Sequence, residues 1–227
     1  MYLVKSPLLL KWFYSALTWN KSRSEKIVYL TFDDGPIPNV TEFVLNTLKS
    51  FKIKATFFCI GDNILKHPAL FERLKSEGHA IGNHTFNHLN GWKTNDHTYI
   101  QNFLKCQELT QTNLFRPPFG RIKKSQVRSL QFTVQKLEYI ESNLSPKIDS
   151  SFKTTDSELK IIMWDVLSGD FDPKLSPEKC YHNVIKNTKN GSIIVFHDSL
   201  KAYDRLKYAL PKAIEYLINE GYQFGKL

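Results

Sequence analysis

The chain has 227 residues, 41% hydrophobic and 23% charged, without repeats or low-complexity stretches, which excludes a disordered or fibrous protein and leaves a single α/β or barrel core as the expectation. Lysine and arginine number 31 against 22 acids, a formal charge of +9, but lysines such as Lys49, Lys75, Lys105, Lys136 and Lys186 are scattered through helical stretches, so no nucleic-acid partner is expected. The three cysteines, Cys59, Cys106 and Cys180, lack C-x-x-C spacing and argue against both a disulfide framework and a thiolate zinc site.

Residues 1–25 read as an arm packed on the domain that follows. The first 19 include Leu8, Leu9, Leu10, Trp12, Phe13, Tyr14, Leu17 and Trp19, yet Lys5, Pro7 and Lys11 interrupt them and no small-residue cleavage site follows. That is a poor signal peptide and a poor membrane span, with an interfacial helix as the alternative to packing. Localisation therefore stays open: cytoplasmic by default, with cell-envelope association as the other option; a monomer is expected, with membrane contact the lesser alternative.

From Lys26 onward short apolar runs alternate with helix-like stretches, the pattern of βα units and a parallel sheet or barrel. The candidate strands are Ile27 to Phe32, Ala55 to Ile60, His79 to Ile81, Asn113 to Phe115, Lys160 to Val166, Ser192 to Phe196 and Tyr222 to Gly225. Seven strands imply an incomplete barrel. Asn39 with Glu42, and Ser176 with Pro177, mark helix starts, while Gly78, Gly191 and Gly221 mark helix ends. Between the fourth and fifth strands the interval is too long for one crossover. Gln126 to Ile140 has helical spacing, and Ser142 to Ser157 is polar, so an insertion near 132–158 is expected, a helix followed by a loop.

The unusual polar residues fall at the carboxyl ends of these strands, where parallel barrels build active sites. In Thr31-Phe-Asp-Asp-Gly-Pro36 two adjacent carboxylates end the first strand, a costly arrangement unless a cation neutralises it, with one acid as ligand and the other as base. Turn chemistry alone is the competing explanation. His84-Thr-Phe-Asn-His88 would present two imidazoles on one face of a helical turn, and with a carboxylate they make an open three-ligand site suited to zinc. Two exposed helical histidines would look the same. His67, His79, His97 and His182 lack such spacing and are assigned to capping, packing or the surface.

These segments resemble the NodB-homology polysaccharide deacetylases, carbohydrate esterase family four, over Lys26 to the C-terminus less the insertion. The resemblance implies an α/β fold, a distorted, incomplete (β/α)7 barrel of the polysaccharide deacetylase type, occupying 26–227. It implies Asp33 as catalytic base and Asp34, His84 and His88 as ligands of a divalent metal, zinc first, with cobalt, manganese or nickel as alternatives. Arg116-Pro-Pro-Phe-Gly120 resembles the third motif, making Arg116 the residue that orients the base, and Phe119 with Pro118 substrate-binding. Val195-Phe-His197 resembles the fifth, making His197 the general acid, although a helix cap beside Asp198 and Ser199 is the plainer alternative. The fourth motif, usually D-x-x-D-W, departs here to Leu167-Ser-Gly-Asp-Phe171, so either Asp170, the preferred one, or Asp165 supports His197.

The implied activity is removal of N-acetyl groups from N-acetylglucosamine-containing polysaccharide such as peptidoglycan or chitin. The alternatives are an O-acetyl esterase on the same site and a non-catalytic glycan-binding protein on the same scaffold. Exposed aromatics such as Trp92 and Phe119 would stack on sugar rings, whereas Trp164 belongs in or near the core.

Overall fold

An apolar run ending in an acid, Ile27–Asp33, forms the central strand β1 of a computed structural model that describes residues 2–144 and 158–227, with 137–144 as backbone only. The other strands are β2 (Thr56–Cys59), β3 (Ala80–Asn83), β4 (Leu114–Phe115), β5 (Lys160–Ile161), β6 (Val166–Leu167), β7 (Ile193–His197) and β8 (Gln223–Gly225). The helices are α1 (Leu8–Phe13), α2 (Val40–Ser50), α3 (Gly61–Lys66), α4 (Pro68–Ser76), α5 (Asp96–Thr110), α6 (Lys124–Leu144), α7 (Pro177–Asn187) and α8 (Tyr203–Asn219).

The strands form one parallel sheet in the order β5-β4-β3-β2-β1-β7-β6, with β8 paired to β1. Tyr29 pairs with Ile193 of β7 and with Gly225 of β8, so β8 takes the first half of the β1 edge whose second half, Thr31 to Asp33, belongs to β2. Because every strand runs the same way, the acids and imidazoles at the strand ends share one rim. This is the curled, incomplete barrel expected from the sequence.

One expected strand is two. The run from Lys160 to Val166 breaks after Ile161 and resumes at Val166, because the groups between them are used elsewhere. Ile162 and Met163 offer their carbonyls to Arg116, and the carbonyls of Trp164 and Asp165 accept from Ser6. The N-terminal arm covers this break: Thr18 bridges parallel to Ile162 and Lys5 antiparallel to Val166, with Leu17 and Trp19 buried.

Helix punctuation follows the sequence in most places. The Asn39 N–H donates to Glu42 Oε2 at 2.8 Å at the start of α2, and Ser176 Oγ accepts from the Lys179 N–H at the start of α7. Gly78 and Gly221 follow α4 and α8 with positive φ. Gly191 differs from expectation: α7 ends at Asn187, and Gly191 instead turns the chain into β7 where a Cβ would lie 2.2 Å from the Ser22 carbonyl. The expected helix from Gln126 is α6, whereas the expected loop beyond Leu144 lies outside the described residues.

Two apolar layers hold the sheet. One packs Leu30, Phe32, Phe57 and Phe196 against Leu45, Leu48, Leu210 and Ile214, with Phe32 and Phe57 stacked at 5.0 Å. The other joins Phe103, Phe115 and Leu130 to Leu17 and Trp19 of the arm. Burying side chains of this size contributes roughly 1.5–3 kcal/mol each, and it fixes the rim on which the polar residues stand.

Candidate active site

The rim is built from the ends of β1, β3, β4 and β7 and the turn after β6. Asp33 ends β1 opposite His197 of β7 in register, and the next residue, Asp34, turns with φ 87°. Asn63 Nδ2 donates to the Asp34 carbonyl at 2.7 Å. The Gly35 N–H donates to Asp198 Oδ1 at 2.9 Å, and the Thr41 hydroxyl to Asp198 Oδ2 at 2.6 Å. A Cβ on Gly35 would meet that carboxylate at 1.9 Å, so the Asp-Asp-Gly turn is fitted to Asp198. Burial pushes the Asp198 carboxyl up to about 8 despite these two donors.

His84 and His88 do not sit on a helix as expected. They occupy a loop after β3 in which Thr85 and His88 have φ of 63° and 56°. Side chains rather than a helical ladder hold it: the Thr85 N–H donates to Asn83 Oδ1, and the Phe86 and Asn87 N–H groups donate to Asn102 Oδ1. The loop still brings the two imidazoles to 5.1 Å between ring centres.

Asp34, His84 and His88 each offer a ligand atom, all within 4.8 Å of one another. Asp34 Oδ1 lies 3.3 Å from His88 Nε2 and 3.8 Å from His84 Nε2. His84 Nδ1 is 2.7 Å from the Arg116 carbonyl, which only accepts; Nδ1 therefore carries the proton and Nε2 presents a lone pair. Burial, outweighing the nearby carboxylates, pushes His84 down to about 4 and lowers His88 as well. Burial would raise Asp34, but His197, His84 and His88 together hold it below the usual carboxylate range.

Whether a cation fits can be tested on Asp34 Oδ1, a buried oxygen without a hydrogen-bond donor among the described residues. The His84 Nε2 lone pair faces this orphaned carboxylate oxygen with His88 Nε2 beside it, an arrangement that a positive ion among the three would favour. Two imidazoles and one carboxylate suit zinc or a neighbouring first-row divalent metal and leave coordination positions open. The residues present fit a divalent ion.

Beside this trio, Asp33 Oδ1 accepts from Arg116 Nη1 at 2.7 Å, and both side chains are buried. The rest of the guanidinium is equally occupied, by Thr31 Oγ1 at 2.7 Å and the Ile162 and Met163 carbonyls, and it lies 4.1 Å from the centre of the Phe58 ring. His197 is gripped by one carboxylate twice: its Nδ1 meets Asp170 Oδ1 at 2.8 Å and its backbone N–H donates to Asp170 Oδ2 at 2.7 Å. Burial disfavours the charged imidazole, but Asp170, with Asp34 and Asp33 behind it, raises His197 to about 9.

Asp165, the alternative support for His197, is elsewhere. It is buried in a cluster with Lys5, Lys11, Arg23 and Ser192, on the side of β6 away from the rim. Pro118 is buried, and Phe119 is exposed with φ 61°, its ring 4.5 Å from that of His88. Trp92 is exposed under the Arg121 guanidinium, while Trp164 packs against the core. Sequence reasoning placed Asp198 beside His197 without its role under the Asp-Asp-Gly turn, and missed Arg205. Arg205 Nε donates to the Asp170 carbonyl at 2.6 Å from within α8; it is a largely buried arginine on a helix face otherwise apolar, which was the available signal.

The family model for polysaccharide deacetylase matches residues 20–135. A peptidoglycan-N-acetylglucosamine deacetylase of Bacillus cereus is 32% identical over 218 residues, spanning 92% of this chain and 89% of the relative. A chitooligosaccharide deacetylase of Azorhizobium caulinodans is 31% identical over 185 residues, spanning 78% and 76%. A crystal structure of a peptidoglycan N-acetylglucosamine deacetylase with 4-naphthalen-1-yl-N-oxidanyl-benzamide superposes with a TM-score of 0.79 at 29% identity, covering 98% of this chain and 95% of that one.

Proposed function

The chain belongs to the polysaccharide deacetylase family, and on that premise we propose that it hydrolyses the N-acetyl group of N-acetylglucosamine units in peptidoglycan, with a zinc ion held by Asp34, His84 and His88. The observation that carries this reading is the orphaned Asp34 Oδ1 facing two imidazole Nε2 atoms, on the rim where an arginine-held carboxylate and a carboxylate-held imidazole stand in register. The names of the related proteins support the glycan.

When bound, the ion supplies a Lewis acid for the acetyl carbonyl and makes water more acidic. Asp33 receives the proton of the attacking water. Arg116 engages its Oδ1, which fixes the carboxylate plane and leaves Oδ2 to the water. His197 delivers a proton to the departing amine: with Nδ1 committed to Asp170, its Nε2–H is the free donor, and its raised pKa keeps it charged near neutrality. Phe119, exposed beside His88 with Pro118 behind it, walls the sugar site and offers its backbone N–H to the developing oxyanion. Leu167 stands where the family usually has an acid, and Asp170 is the carboxylate that holds His197.

The test is acetate release by the full chain from N-acetylglucosamine oligomers and from peptidoglycan, before and after chelation, with add-back of zinc, cobalt, manganese or nickel and elemental analysis of the purified protein. Release that survives complete chelation, or absence of release from both substrates with every metal, overturns the reading.

A further inference from the structure

Helix α1 is inside out. It has no buried residue: Leu8 is 82% exposed, Leu9 71%, Trp12 71% and Phe13 63%, whereas a surface helix ordinarily turns its apolar side inward. Trp12 and Phe13 touch edge to face at 4.9 Å, and Leu8 and Leu9 precede them by four residues each on the same helix, so the four side chains share one face.

The inversion is held in place by polar contacts on the inner side. The Ser6 N–H donates to the Asp165 carbonyl, and Ser6 Oγ to that of Trp164. Lys5 and Lys11, before and within the helix, both reach the buried Asp165 carboxylate. Beyond the helix the chain is pinned again by buried Leu17 and Trp19. The apolar side chains are thus displayed on a fixed segment.

Charge identifies what would cover them. The first 24 residues carry Lys5, Lys11, Lys21 and Arg23 and no acid. Three of these cations share one carboxylate at Asp165, so the ground beneath the patch is positive, and Lys124 stands beside Tyr14 just past the helix. A second copy would bring the same surplus against it. An anionic lipid surface offers the opposite charge together with a medium for leucine, tryptophan and phenylalanine at headgroup depth. We infer that α1 is a membrane-docking knuckle that inserts Leu8, Leu9, Trp12 and Phe13 into the interface of an anionic bilayer and holds the protein at that surface.

The test uses the full chain with sedimenting vesicles of phosphatidylcholine alone or mixed with phosphatidylglycerol, over a potassium chloride series. Expected is binding to the phosphatidylglycerol vesicles that weakens with salt and is slight on phosphatidylcholine. The combined Leu8→Ser, Leu9→Ser, Trp12→Ser and Phe13→Ser variant should partition on the order of 100-fold more weakly, with an unchanged thermal melt and unchanged acetate release from a soluble oligosaccharide. Trp12→Ala alone should show a smaller loss, and serves if the combined variant folds poorly. Wild-type protein that ignores the anionic vesicles, variants that bind them equally well, or a lipid-free dimer dissolved by the same substitutions would each overturn the inference, the last by assigning the face to a second copy.

Discussion

Arg116 donates Nη1 to Asp33 Oδ1 across 2.7 Å, with side-chain exposures of 0% and 4%. The guanidinium is desolvated on every side, which lowers its own pKa by burial against the pull of Asp33, and it also ties β1 to the irregular chain between β5 and β6. Removing one partner of such a pair strands the other charge. Arg116→Met should therefore cost about 3–5 kcal/mol in urea unfolding. Arg116→Lys should recover only part of it, since an ammonium cannot span Thr31, Asp33 and two carbonyls with a planar fork.

Asp33→Asn leaves the shape of that contact and removes the proposed base. The amide oxygen still accepts from Arg116, so the metal content measured by elemental analysis should match wild type while kcat falls by on the order of 10²- to 10⁴-fold. Unchanged turnover would move the base to another residue.

His88→Ala acts on the other half of the site. It deletes an Nε2 that lies 3.3 Å from Asp34 Oδ1 but leaves His84 fixed by the Arg116 carbonyl. Zinc titration should show affinity falling by on the order of 10²-fold or more, because two ligands remain on the same preorganised frame. Excess zinc should restore part of the metal content.

His197 should titrate late. Its folded pKa of about 9 lies above the ordinary 6.5, so its contribution to stability is fully present below pH 6.5 and is lost as pH rises through about 9. Imidazole NMR of the metal-free protein should place the transition there. Asp170→Asn removes the carboxylate that raises the imidazole most, leaving burial to oppose its charge, and should shift the basic limb of kcat/KM to lower pH.

How much of this was visible in the sequence differs residue by residue. Asp33 and His197 were legible because each ends a run of apolar residues, and a charge that stops a buried strand must lie at its rim. That Asp34, His84 and His88 would come together was legible from identity and spacing, but the H-x-x-x-H helix was not real. The positive φ of Thr85 and His88 depends on contacts with Asn83 and Asn102, and Asn102 is remote in sequence. The apolar stretch from Lys160 looked like one strand because its side chains are buried; that its carbonyls would be spent on Arg116 and Ser6 is a tertiary fact. Asp165 and Asp170 were indistinguishable by spacing, because which face of the sheet end each occupies is set by that same break.

Asp165 yields the last prediction. Burial disfavours its charge, but Lys11, Lys5, Ser192 and Arg23 hold the carboxyl well below the usual range, so its contribution to stability is present above pH 3.8 and is lost as pH falls below that value. The three cations are partly exposed, at 32%, 15% and 39%, and solvent screening reduces what each pair contributes. Asp165→Asn should therefore cost about 2 kcal/mol at pH 7, less than breaking a fully buried pair. Urea curves of wild type and variant should draw together as pH is lowered below 3.8, where the carboxyl of the unfolded chain takes up its proton while the folded one still resists it. Because Lys5 and Lys11 anchor the arm through this one side chain, the variant should also be cut faster by trypsin at Lys21 and Arg23 at pH 7. A variant as stable as wild type at pH 7, with no change in cleavage, would show that the strand-like bridges of Thr18 and Lys5 hold the arm without the charge cluster.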